Sequence, residues 1–249
     1  MGLAGLSIAM LSASANAEIE SEFYAGYDSS YIFRGINLGD DLYSFGFDFS
    51  GSCDCGFDWN AGIWYANFGD DFAFADEEID IYAGISKDFG GVTASLGFIR
   101  YILPDAAIAD FTELYGGLST TVGAVDLAVT VYWTIDAEAG LTFGPSGESA
   151  TGDFYYEFTA DYSLPIAEKV SLDLNGTAGF VSNSGDDYST FSATAGLNFA
   201  LSEAISLSTY VSAEFTEGAD FRDFISSPFG APTEDGDDFF GGASVSFAF

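Results

Sequence analysis

Apolar and polar residues change places at every step through positions 154–162, where Phe154, Tyr156, Phe158, Ala160 and Tyr162 oppose Tyr155, Glu157, Thr159 and Asp161. Period-two alternation marks a strand with one apolar and one polar face, and a slip of one residue would exchange the two faces completely. The pattern recurs in eleven other segments, which predicts an all-β chain. Beyond the N-terminal region no run of 18 apolar residues occurs, so no helical membrane span is expected.

In the first segment Phe23, Ala25, Tyr27, Tyr31 and Phe33 share the apolar face, opposite Glu22, Tyr24, Asp28 and Arg34. Tyr43, Phe45, Phe47 and Phe49 mark the second against Ser44, Gly46 and Asp48; Phe57, Trp59, Ala61, Ile63 and Tyr65 mark the third against Asp58, Asn60 and Trp64. Ile79, Ile81, Ala83 and Ile85 oppose Asp80, Tyr82 and Ser86 in the fourth. Val92, Ala94, Leu96 and Phe98 define the fifth, and Leu114, Leu118 and Val122 the sixth. The seventh sets Val125, Leu127, Val129, Val131 and Trp133 against Asp126, Thr130, Tyr132 and Thr134; the segment at 154–162 is the eighth. Val170, Leu172, Leu174 and Phe180 oppose Asp173, Asn175 and Thr177 in the ninth, and Phe191, Ala193, Leu197 and Phe199 oppose Ser192, Thr194 and Asn198 in the tenth. Ile205, Leu207, Val211 and Phe215 face away from Ser208, Tyr210, Ser212 and Glu214 in the eleventh. The twelfth begins at Phe239 and ends the chain, with Ala243, Val245, Phe247 and Phe249 on one face.

Connection lengths alternate. Short links at Ser50–Gly56, Phe89–Gly91, Gly123–Ala124, Pro165–Lys169 and Ser202–Ala204 take turns with longer acidic ones at Gly35–Asp41, Asn67–Glu78, Ile102–Phe111, Asp136–Asp153, Ser182–Ser189 and Thr216–Asp238. Short turns on one rim and long loops on the other are the arrangement of an outer-membrane barrel, periplasmic and extracellular respectively. The expected fold is therefore a transmembrane antiparallel up-and-down β-barrel of twelve strands. A soluble β-sandwich, the plainer alternative, has no reason to alternate its loop lengths. An even strand count returns the C-terminus to the short-turn rim, where the last strand pairs with the segment through Phe23 to Phe33. Phe247 and Phe249 then serve as a signal to the barrel assembly machinery. Tyr65, Trp133 and Tyr162 are expected at headgroup level.

The start of the chain points to export. Leu3 to Leu11 is a short apolar run, and Ala15-Asn16-Ala17 before Glu18 has the small-x-small pattern of a signal-peptidase site. Residues 1–17 read as a signal peptide and 18–249 as the barrel. No Lys or Arg precedes the run, as such leaders ordinarily have, so a start further upstream is expected.

With 39 acids against 5 bases, the net charge of −34 excludes a nucleic-acid surface. Disorder does not follow, because 17% of the residues are aromatic. The chain holds no histidine, the base on which barrel hydrolases rely, and chance pairs among so many acids are weak grounds for catalysis. No enzyme activity and no cofactor are expected.

The stretches SSYIFRGINLGDD, GFDWNAGIWYANFGDD and EEIDIYAGIS carry a more specific signal. Tyr31, Phe33, Arg34 and Gly35, then Gly62, Trp64 and Asn67, then Glu78, Asp80, Tyr82 and Gly84 resemble the N-terminal pattern of the TorF porin family. The resemblance covers roughly the first third of the chain. It implies a porin and names no solute.

The inward face gathers Glu22, Asp28, Asp48, Asp58, Asp80, Glu113, Asp126, Glu157, Asp161, Asp173 and Glu214 against one base, Arg34. Such a lumen attracts cations and repels anions, although polar lining is also what any barrel interior requires. Tyr24, Trp64, Tyr82, Tyr115, Tyr132, Tyr155 and Tyr210 point the same way and narrow the lumen. Two readings follow: a passive channel for small hydrophilic solutes with cation preference, or a non-conducting structural or adhesive barrel sealed by those aromatics. Arg34 is expected to pair with an acid such as Asp28. Arg100 lies outward near the long-loop rim, facing lipid A phosphates or snorkelling. Cys53 and Cys55 sit in a short turn and are expected to form a disulfide, two thiolates without a histidine being an incomplete zinc site. Loop acids Asp40-Asp41, Asp70-Asp71, Asp186-Asp187 and Glu234 to Asp238 offer themselves to divalent cations and lipopolysaccharide or are simply solvated, with no calcium-loop spacing among them. The sequence specifies no oligomeric state.

Overall fold

The computed structural model describes residues 19–68, 75–104, 106–107, 110–137, 150–182, 187–218 and 237–249. Twelve strands form one closed antiparallel barrel in sequence order: β1 (Glu20–Phe33), β2 (Ile36–Cys53), β3 (Phe57–Asn67), β4 (Glu77–Asp88), β5 (Thr93–Ile102), β6 (Phe111–Val122), β7 (Val125–Ala137), β8 (Phe154–Ala167), β9 (Val170–Ser182), β10 (Tyr188–Ala200), β11 (Ile205–Glu217) and β12 (Asp237–Ala248). The seam is β1 on β12, from Glu22 opposite Ala248 to Asp28 opposite Gly242. Beyond it the Phe249 amide donates to the Ser21 carbonyl at 2.8 Å. Closure leaves the described wall, below the β1–β2 tip, without an open edge, the condition under which strands cross hydrocarbon with their backbone groups paired.

Register places the apolar stripes outside. Phe23 lies between Phe47 and Phe247, its ring 4.9 Å from the first and 6.1 Å from the second. Phe45 stacks beside Tyr65, and Trp133 beside Phe154. Phe45, Phe47 and Phe49 are each 42–44% exposed and, with Phe23, Tyr65 and Ile63 beside them, form a contiguous apolar band that suits an apolar medium. Inside, Asp28, Asp80, Glu113, Thr134, Thr190 and Glu214 are buried, inverting the usual distribution of a soluble protein.

The short links lie on one rim, and Cys53 and Cys55 form a disulfide in the first of them. The first long link is different. Instead of a loop over Gly35–Asp41, Arg34 and Gly35 alone make a two-residue turn, both at positive φ (51° and 77°), and Ile36 to Asp40 continue β2. A residue with positive φ at both central positions is what a tight hairpin turn demands, and Gly35 meets it without strain. Residues 1–17, Asp70, Asp71, Asp186 and Glu234, with their expected leader and cation-binding roles, lie outside the described residues.

The tip of this β1–β2 hairpin leaves the wall. The β1–β12 ladder stops at Asp28 and the β2–β3 ladder starts at Tyr43, so residues 29–42 form a two-stranded ribbon with no ladder partner on either outer edge among the described residues. Alternation breaks there: Asp28 and Tyr31 are both buried, the β1–β2 register shifts between Tyr31 and Ile32, and Asp41 stands at φ 60°. Tyr31 and Phe33, expected on the lipid face, therefore point into the barrel, at 1% and 6% exposure.

Candidate functional site in the barrel lumen

In the half of the lumen near the short turns, the inward acids rest on neutral donors in adjacent strands. Ser52 Oγ donates to Asp58 at 2.5 Å, Thr121 Oγ1 to Asp126 at 2.6 Å and Asn175 Nδ2 to Asp161 at 2.8 Å. Ser163 and Ser171 both donate to Asp173. Each hydroxyl or amide satisfies oxygen lone pairs without cancelling charge. Among the described residues the bases stay away: Lys87 lies over the Phe57 and Phe89 rings, Lys169 sits in the β8–β9 turn, and Arg100 is held by Asp110 and Asp136 at 3.2 and 3.4 Å on the outer rim. Arg100 also donates to Thr112, so its guanidinium is engaged within the protein itself.

Above this vestibule the inward tyrosines lie along the wall. A Cβ added at Gly46 would collide with the Tyr24 ring, at Gly62 with Tyr82, at Gly97 with Tyr115, at Gly179 with Tyr155 and at Gly242 with Tyr210. Each ring thus occupies the space that a side chain on a neighbouring strand would fill, the pairing by which an aromatic covers a strand glycine. The hydroxyls are tethered too: Tyr82 donates to Asp48, Tyr210 to Asp28, Tyr155 to Glu157 and Tyr31 to Glu78. Tyr24, Tyr82, Tyr115, Tyr155 and Tyr210 thus lie against the wall of the lumen that the sequence suggested they narrow.

The hairpin tip crosses the long-loop half. Arg34 extends from the turn to β6, where Nη1 and Nη2 donate to Glu113 at 2.8 and 2.6 Å, with side-chain exposures of 9% and 0%. The fork geometry suits a carboxylate, and Glu113 also accepts from Thr134 and Tyr101. The guanidinium lies over Phe33, Tyr132 and Tyr155, 4.5–5.3 Å from the ring centres. Arg34 was expected to meet Asp28; the inward bend of the tip carries it beyond that strand, and Asp28 accepts from Tyr210 instead.

Other tip residues reach the remaining walls. Tyr31 stacks on Phe68 and Trp64 and donates to both Glu78 oxygens at 3.1 Å. Phe33 meets the edges of Tyr101 and Phe111, while Ile36 packs with Tyr155, Val181 and Tyr188. The Gly35 carbonyl accepts from Thr216 at 2.9 Å, and Asn37 donates to Asp238 at 3.1 Å. A Cβ at Gly35 would strike Thr190 and Thr216. Strands β3 to β12 are touched almost in full circle, so the tip spans the lumen. Asp80 lies beneath it, wholly buried, with neither carboxylate oxygen hydrogen-bonded among the described residues.

Composition and alternation missed Tyr31, Phe33, Ile36 and Asn37 as lumen residues. The signal was present in the motif pattern, because Tyr31, Trp64, Glu78 and Asp80, distant in sequence, converge around the tip.

A closed twelve-stranded barrel with apolar exterior, acidic interior and a hairpin across its mouth belongs to the class of barrels built to sit in a membrane. Within that class the chain belongs to a family of bacterial proteins of unknown function, Gcw_chp, whose sequence profile matches residues 12–225. No curated protein matches it by sequence. Among solved structures it is similar to the NanC porin, at 12% identity over 91% of this chain and 98% of that one, with a TM-score of 0.54. An outer-membrane channel of Pseudomonas putida F1 aligns at 12% identity over 95% and 97%, TM-score 0.54. The translocator domain of the autotransporter NalP from Neisseria meningitidis aligns at 15% over 96% and 91%, TM-score 0.56. Identities this low show a common fold.

Proposed function

We propose that the protein is an outer-membrane channel that passes small hydrophilic solutes or ions, with a preference for cations. The observation that carries this is the charge of the interior. The vestibule acids Asp58, Asp126, Asp161 and Asp173 are bound only to neutral donors in the contacts described above, and the base inside the described lumen, Arg34, is committed to Glu113. A low-dielectric wall around uncompensated acids makes the passage favourable to cations. The resemblance to TorF porins points the same way. Residues 1–17 act as the export signal, Phe247 and Phe249 as the assembly signal, and lipids and lipopolysaccharide as the surroundings of the outer face. The role is transport without catalysis and without a cofactor.

A second reading has its own observation. A hairpin spanning the lumen favours a barrel that does not conduct and serves the envelope as structure or adhesin. Refolded protein in planar bilayers under a KCl gradient separates the two. The expected result is a reversal potential on the potassium side. Chloride preference would refute the role given to the acids, and silence that persists after removal of residues 31–38 would refute conduction.

A further inference from the structure

We propose that residues 29–42 are a gate: a hairpin that hinges at Asp28 and Tyr43, closes the lumen when Arg34 is latched to Glu113, and opens it when the latch is released. The inference rests on the channel reading and adds to it a closed state and an open one.

Three independent observations carry it. Among the described residues the ribbon is free of ladder bonds on both outer edges, whereas the wall strands that flank it are bonded to β12 and β3. A two-stranded hairpin is marginal alone, so its closed position depends on what its tip touches. Those touches are side-chain contacts that can be broken without unzipping the wall: the Arg34–Glu113 fork, Thr216 on the Gly35 carbonyl, Asn37 on Asp238 and Tyr31 on Glu78. Just inside the hinge, finally, regular pairing fails, at the register shift after Tyr31 on one arm and at the positive-φ Asp41 on the other. Gates are drawn from segments of low local stability bounded by a few residues that absorb the backbone change.

Reach is sufficient. An extended arm from Ser29 to Gly35, at about 3.3 Å per residue, covers about 20 Å. The contacts on β6 at Glu113 and on β8 at Tyr155 show that the tip attains the far wall.

The test is a reversible lock in the Cys53→Ser/Cys55→Ser background. A Cβ at Gly35 would lie 3.0 Å from that of Thr190, so Gly35→Cys with Thr190→Cys places two thiols in bridging range. Where the positive φ of Gly35 hinders folding, Asn37→Cys with Asp238→Cys, whose native side-chain ends meet at 3.1 Å, is bridged instead by a short bis-methanethiosulfonate linker that reductant also removes. Bilayer recordings should lose conductance on oxidation and recover it with reductant, while a barrel with residues 31–38 replaced by an Asn-Gly turn should conduct without interruption. A cross-link verified on gels that leaves conductance unchanged would overturn the gate and leave the channel standing. A trimmed barrel that never conducts would overturn the channel and the gate together.

Discussion

In the short-turn half of the lumen Asp58, Asp126 and Asp161 each lean on a neutral neighbour one strand away, and their charge stays open to solvent and solute. In the long-loop half Glu113 is fully enclosed and answered by an arginine that arrives from β1's turn, 79 positions away in sequence. The first arrangement needs only the ladder register, since in-register residues on adjacent strands are placed by the wall itself. The second needs a segment that abandons the wall. One half is thus prefabricated by the barrel, and the other is assembled on top of it by a hairpin.

The comparison breaks most sharply at Glu113. Glu113→Ala leaves the Arg34 guanidinium enclosed without its bidentate partner, and removal of one member of a buried pair costs about 3–5 kcal/mol. Part of that loss disappears from the wall if the tip swings out to hydrate Arg34, so unfolding and conductance should be read on the same variant. The double variant Glu113→Ala/Arg34→Ala should recover a measurable fraction of the stability in urea titrations of the refolded barrel. Equal losses from the single and the double variant would mean that the pair is no latch.

A smaller effect probes the belt between the halves. Gly97→Val would drive a branched side chain into the Tyr115 ring and the Ala83 carbonyl. Overpacking of this kind costs about 1–3 kcal/mol, and relief requires Tyr115 to leave the wall for the lumen. The expected signature is a lower unfolding midpoint together with reduced conductance. An unchanged midpoint would show that the ring does not depend on the glycine beside it.

The twelve strands were legible because a barrel with lipid outside and polar groups inside imposes one rule on every residue of the wall, and Phe154–Tyr162 obeys it step by step. The same rule misplaced Tyr31 and Phe33. Their parity with Phe23 and Tyr27 is correct only while the strand stays in the wall, and local sequence does not report the three-residue interval between the inward Asp28 and Tyr31. The acidic stretch after Gly35 read as a loop for a related reason: Asp40 and Asp41 are unusual strand residues, and only Ser30 and Tyr27, which donate to them from β1, make the pairing visible. The inward acids followed from alternation alone, whereas the Arg34–Glu113 pair depends on where a bent hairpin ends, a tertiary fact. Alternation alone pointed the tyrosines inward, whereas their lying over glycines is a property of two strands at once.

The least disruptive change separates charge from architecture. In Asp58→Asn/Asp126→Asn the amide oxygens still accept from Ser52 and Thr121, so both hydrogen bonds survive while two charges vanish. Substitutions that keep volume and partners usually stay within about 0.5 kcal/mol, so the unfolding midpoint should not move. The reversal potential under a KCl gradient should nevertheless shift toward zero, because the field of the vestibule is the sum of such carboxylates. The Arg34–Glu113 latch lies in the other half and is untouched by the change, so open-state dwell times should match the parent protein. A selectivity that resists this double substitution would place the filter at the hairpin, among Glu78, Asp80 and Glu113, and the vestibule would then be an approach to the filter with no part in choosing the ion.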